Sequence, residues 1–202
     1  MLGIFGSNPF MPRRQPRGTV GELRWWLRAL DSKPPIPIPL YPRATDHQAF
    51  SDASTSYGLA VVIGNKWRAW KLHGRWQCDG RDIGWAESVA FEFLIRILLT
   101  LDRSSTPLTA HCDNQGVVDG WKKGRSRNPP TNATFRRIHD LLASPPRQVF
   151  AEYVPSADNP ADGPSRGVFS PPALLLPRIP IPAKVRNHVL DLDDPKCLTV
   201  CL

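Results

Sequence analysis

Cysteine is scarce and unpatterned: Cys78, Cys112, Cys197 and Cys201 are the only four among 202 residues. Their spacing matches neither a zinc finger nor a dense disulfide framework, so reduced thiols inside a cell are expected. The histidines at His73, His111 and His139 also lack metal-ligand spacing. Long apolar runs are missing too: no window approaches the roughly eighteen residues that a membrane-spanning helix needs, and no span is expected. The opening MLGIFGSNPFMPRRQPR reaches Pro and Arg after a few apolar positions. It cannot form the apolar core of a secretory signal, which points to an intracellular protein, cytoplasmic or nuclear, and not a secreted one.

Proline, by contrast, is abundant: there are 22, about twice the usual share. Much of the excess falls in residues 33–43 (KPPIPIPLYPR) and 171–184 (PPALLLPRIPIPAK), which read as extended flanks and not as a repeat architecture. Hydrophobic residues make up 41%, enough for one domain with a core of its own at this length. The net charge of +8 favours a polyanionic partner.

Periodicity orders the rest. GELRWWLRAL (21–30) spaces Leu23, Trp26, Leu27 and Leu30 as one face of a short amphipathic helix. QAFSDAS (48–54), YGLAVVIG (57–64) and KWRAWKL (66–72) are short β-prone runs joined by turn residues, which predicts two antiparallel hairpins. Residues 83–101 form a proline-free helix that is apolar almost all round and so largely buried. A strand at 108–112, helices at 114–122 and 131–142, and a last strand at 148–154 follow. Hairpins first and strand–helix alternation afterwards predict an α/β fold with a mixed sheet. The boundaries read as an N-terminal segment at 1–43, a domain at 44–168 and a Pro-rich tail at 169–202.

Four carboxylates stand out. Asp52 lies inside the first strand, where an unpaired buried charge is costly and calls for a reason. Glu87 sits in the first turns of the long helix, Asp113 closes the fourth strand, and Asp162 follows the fifth in the proline-broken stretch EYVPSADNPADGPSRG. Each has a plainer reading: Asp113 and Asp162 as turn or capping residues, and Glu87 as a partner of the helix dipole. Together they suit hard divalent cations, which take oxygen ligands and in pairs serve phosphodiester hydrolysis.

The segments FSDAS, WAESVAFEFLI, CDNQGVVDGW and YVPSADNPADGPSRG, in this order, resemble the ribonuclease H domain of retroelement reverse transcriptases. The likeness is to tyrosine-recombinase-type retrotransposons and hepadnavirus polymerases in particular, and it covers about residues 46–168. The acids are separated by 35, 26 and 49 positions. The resemblance implies a five-stranded ribonuclease H-like sheet of order 3-2-1-4-5 with helices packed on it, and metal-dependent cleavage of the RNA strand of RNA·DNA hybrids. Its cofactor would be two Mg²⁺ ions, with Mn²⁺ as a substitute. Asp52 would bridge both ions, Asp162 would complete the water-activating site, and Glu87 with Asp113 would hold the second ion. The helix at 21–30 resembles the end of a polymerase connection, which implies an upstream polymerase domain in a parent polyprotein. No Tyr-x-Asp-Asp motif of a polymerase occurs in the chain. The histidine that many relatives carry in the loop before the fourth acid is absent from VPSADNPAD.

WKKGRSRN (121–128), with Arg136 and Arg137 beyond it, concentrates basic charge. Lys122, Lys123, Arg125 and Arg127 are expected to track nucleic-acid phosphates, the plainer reading being a solvated charged loop. Trp67, Trp70, Trp76 and Trp85 could stack on bases, the plainer reading for Trp67 and its strand neighbours being packing aromatics. A rival from another class is a domesticated, catalytically inactive module that kept the fold and binds RNA or hybrid.

Overall fold

A computed structural model describes residues 18–32 and 44–193. The Pro-rich stretch 33–43, Cys197 and Cys201 lie outside the described residues. The chain divides into two units, the first ending at Pro35. In the first, Thr19–Ser32 forms helix α1, with Leu23, Trp26, Leu27 and Leu30 exposed along one face.

The second unit is α/β. Its strands are β1 (Thr45–Ala53), β2 (Gly58–Ile63), β3 (Lys66–Leu72), β4 (Leu108–Cys112), β5 (Val149–Tyr153) and β6 (Val189–Asp191). The helices are α2 (Ile83–Leu101), α3 (Gln115–Lys122), α4 (Pro129–Leu141) and the single-turn α5 (Asp162–Ser165). The sheet runs β5-β4-β1-β2-β3-β6. The expected order 3-2-1-4-5 is present within it, but the sheet has six strands and not five. The correction lies at the β3 edge, where β6 pairs antiparallel through Trp70↔Asp191 and Leu72↔Val189. β1–β2 and β2–β3 are the two antiparallel hairpins, while β4 lies parallel to both β1 and β5.

β2 is buried along nearly its whole length, as its unbroken apolar run requires of a strand covered on both faces. Leu59 and Val61 join the main core under α2, while Ala60 and Val62 belong to a smaller cluster with Trp67 and Ala69. Gly58 permits the close β2–β3 approach, since a Cβ there would lie 2.1 Å from the Trp70 carbonyl oxygen. The long helix α2 starts on an Asp82 cap, whose side chain accepts from the Trp85 N–H at 2.9 Å. Asp102 ends it, accepting from Ser104 and pairing with His47 and Arg147. Trp67, Trp70, Trp76 and Trp85 are all buried, as the packing reading of Trp67 and its strand neighbours expects.

Residues 169–193, read from the sequence as a tail, lie against the sheet. Phe169 stacks on Trp67 with centroids 4.9 Å apart, and the Leu176 N–H donates to the Trp67 carbonyl at 2.8 Å. Leu176, Ile179, Val185 and Val189 join the main core. The buried Arg68 guanidinium then donates to Asp191 and to Asp193, both at 2.6 Å.

Candidate metal centre

Parallel strands leave a crevice beyond their carboxyl ends, and open α/β sheets place ligands there. Ser51 of β1 is level with Cys112 of β4, and Cys112 with Tyr153 of β5. The next residues along β1 and β4 are Asp52 and Asp113, which therefore emerge side by side. Asp113 is near enough to raise the pKa of the Asp52 carboxyl. Glu87, fifth in α2, enters from the helix packed on this part of the sheet. Oxygen atoms of Glu87 and Asp113 and the Cys112 sulfur all lie within 4.8 Å of one another.

The proline-broken stretch brings the fourth acid round. After β5 the chain turns through Ser156–Asp158. Ser156 Oγ donates to Asp113 at 2.7 Å, and Asn159 Nδ2 donates to the Ser51 carbonyl at 3.1 Å. These bonds tie the turn to β1 and to the Asp113 side chain. Asp162 then opens α5, and Ser165, one turn later, donates its hydroxyl to Asp52.

The plainer readings of single acids do not account for this arrangement. Asn114, not Asp113, caps α3. Glu87 is buried and lies past the first helical turn, so the helix end does not explain it. Burial raises Asp52 to about 7, reinforced by Asp113 and Asp162 and partly offset by the Ser165 hydroxyl. Burial also pushes Glu87 up to about 9, with the charges of Asp52 and Asp113 adding to it. The nearby Ala53 backbone N–H offsets the rise only in part, and Glu87 Oε2 is buried with no hydrogen-bond partner.

Among the described residues, no Lys or Arg pairs with Asp52, Glu87 or Asp113. Two buried acids and a half-buried third without a protein cation form an oxygen-rich donor set short of positive charge. Hard divalent cations fit that chemistry. Cys112 is the neighbour that residue spacing did not single out. Burial, and then the charge of Glu87, hold its thiol well above the usual range, so it packs as a neutral side chain against the acids. Its signal in the sequence was adjacency to Asp113 at the end of an apolar strand.

The basic residues divide. Lys123 pairs with Asp119 at 3.1 Å, and Arg137 is drawn to the fully buried Glu92 at 2.6 Å. Lys122, Arg125 and Arg127 are exposed and make no described ion pair. A separate cavity of about 560 Å³, lined by Trp121, Lys122, His139, Arg147 and Phe150 among others, contains none of the four acids. Among the described residues, no helix is long and apolar enough to cross a membrane. No family model matches the chain, and neither the curated proteins nor the solved structures provide a match.

Proposed function

We propose that the chain is a retroelement-derived ribonuclease H that hydrolyses the RNA strand of RNA·DNA hybrids, with Asp52, Glu87, Asp113 and Asp162 as its metal-binding carboxylates. The observation that carries this reading is a set of acids from four elements, gathered at the carboxyl ends of parallel strands. One buried oxygen in the set, Glu87 Oε2, has no hydrogen-bond partner. The embedded strand order supports the same reading.

Two Mg²⁺ ions held by these carboxylates would supply an activated water and charge stabilisation at the leaving oxygen. The chain's own contribution is placement. Ser165 holds the Asp52 carboxylate in one rotamer, Ser156 does the same for Asp113, and the Asn159 side chain pins the loop that delivers Asp162. Glu87 is held by the packing of the buried helix α2. Lys122, Arg125 and Arg127 offer sequence-independent contacts to a nucleic-acid backbone.

The test is cleavage of an end-labelled RNA·DNA hybrid by the purified chain. Cutting of the RNA strand is expected with Mg²⁺, none with EDTA, and none from Asp52→Asn. A salt-sensitive gel shift without cutting would favour the inactive binding module. Cleavage that survives Asp52→Asn would reject this site.

A further inference from the structure

Arg166 follows α5 directly, and its Nε donates to Asp162 Oδ1 at 2.8 Å. Among the described residues it is the one cation paired with any of the four acids. Its side chain is 59% exposed against 35% for Asp162, so the pair sits at the mouth of the cluster. The backbone at Arg166 is fixed, since its N–H donates to the carbonyls of Asp162 and Gly163. Gly167 then turns the chain at φ +87 against the Tyr57 ring. The guanidinium is therefore tethered by a rigid main chain while its side chain stays in solvent. The Nε bond uses one of its five N–H donors, and no described residue engages the others.

Four carboxylates are matched in charge by two divalent ions, which leaves the anionic phosphodiester unneutralised. Arg166 is the cation in place to meet it, and its planar fork suits two phosphate oxygens better than an ammonium does. We infer that Arg166 is a phosphate-positioning residue: it holds Asp162 in the metal-free protein and passes to a backbone phosphate of the nucleic acid once Asp162 turns to a cation. The inference rests on the hybrid-nuclease reading and adds to it a residue outside the four acids.

The experiment measures two equilibria on the full chain and on Arg166→Ala and Arg166→Lys. Calorimetry gives Mg²⁺ affinity without nucleic acid. Fluorescence anisotropy gives affinity for a labelled RNA·DNA hybrid across a salt series, with Ca²⁺ replacing Mg²⁺ to hold turnover back. For Arg166→Ala we expect Mg²⁺ affinity equal to or above the parent value, because a competitor for Asp162 has gone. Hybrid affinity is expected to fall about tenfold and the log–log salt slope to drop by about 1, the value of one phosphate contact. Arg166→Lys should recover the slope and only part of the affinity, since a lysine cannot fork.

An unchanged hybrid affinity and slope in Arg166→Ala overturns the inference. So does a loss of Mg²⁺ binding with the slope intact, which would make Arg166 a structural partner of Asp162 alone. Parent protein that neither cuts nor binds the hybrid removes the nuclease reading and this inference with it. Parent cleavage matched by Arg166→Ala in both rate and binding removes the inference only.

Discussion

Burial sets the behaviour of Asp52 and Glu87 before any ligand arrives. Both carboxyls titrate above the value near 4 of an unfolded chain, Asp52 at about 7 and Glu87 at about 9. The folded protein therefore holds more protons than the unfolded one across that interval, and stability must fall as pH rises. The contribution is fully present below about pH 4. It is lost progressively towards about 7 for Asp52 and about 9 for Glu87. Thermal melts of the EDTA-treated protein from pH 5 to 9 should show a declining Tm, and excess Mg²⁺ should flatten the decline. Asp52→Asn should raise the metal-free Tm at pH 8.5 by a few degrees, taking about 2–4 °C per kcal/mol for a chain of this size. A metal-free Tm that rises over this range would contradict the burial-raised titration of these two carboxyls.

Elements place those residues, and one element lies beyond the part of the chain that carries the motifs. β6 and the segment before it close the β3 edge, cover Trp67 with Phe169 and give the buried Arg68 its carboxylates. Removing one partner of a buried ion pair strands the other charge in a place that water cannot reach. Asp191→Ala is expected to destabilise the domain by about 3 kcal/mol, the low end for such a break, because Asp193 still reaches Arg68. Urea unfolding measures it, and a change within about 0.5 kcal/mol, the scatter of ordinary surface substitutions, would show that the segment does not hold the sheet edge. The same segment lies near α5: Ala161 and Tyr57 share the smaller cluster with Leu174 and Leu175. Truncation at residue 168 is accordingly expected to lower hybrid cleavage as well as Tm, which an activity assay on the shortened chain reads directly.

At the scale of the whole molecule, the proposed hybrid substrate sets charge and fold different tasks. On the proposed reading the acids would supply the chemistry and repel phosphate, while the exposed Lys122, Arg125 and Arg127 would attract it without reading sequence. Replacing those three by Ala should weaken hybrid binding and lower the salt slope by about 2–3, with Mg²⁺ affinity unaltered. An unchanged slope would remove the basic loop from the interface. Lys123 and Arg137, part of the same run in the sequence, are already paired with Asp119 and Glu92 and are expected to contribute little.

Local pattern carried most of this architecture. The run Ile83–Leu101 is a helix with the predicted bounds, and Leu108–Cys112 is a strand with the predicted bounds. Hydrophobic spacing and breakers act over a few residues and are legible there. The strands and helix that carry Asp52, Glu87 and lead into Asp113 were readable for the same reason, whereas the short helix that Asp162 opens was read only as a proline-broken turn. Long-range packing decided the rest. β6 has only three residues, Val189–Asp191, too short to announce itself, and it exists because the β3 edge and a buried Arg68 need partners. That Arg137 is committed to Glu92 and that Cys112 adjoins Glu87 follow from contacts between distant segments, whose energies come from burial and neighbouring charge and leave no periodic trace along the chain.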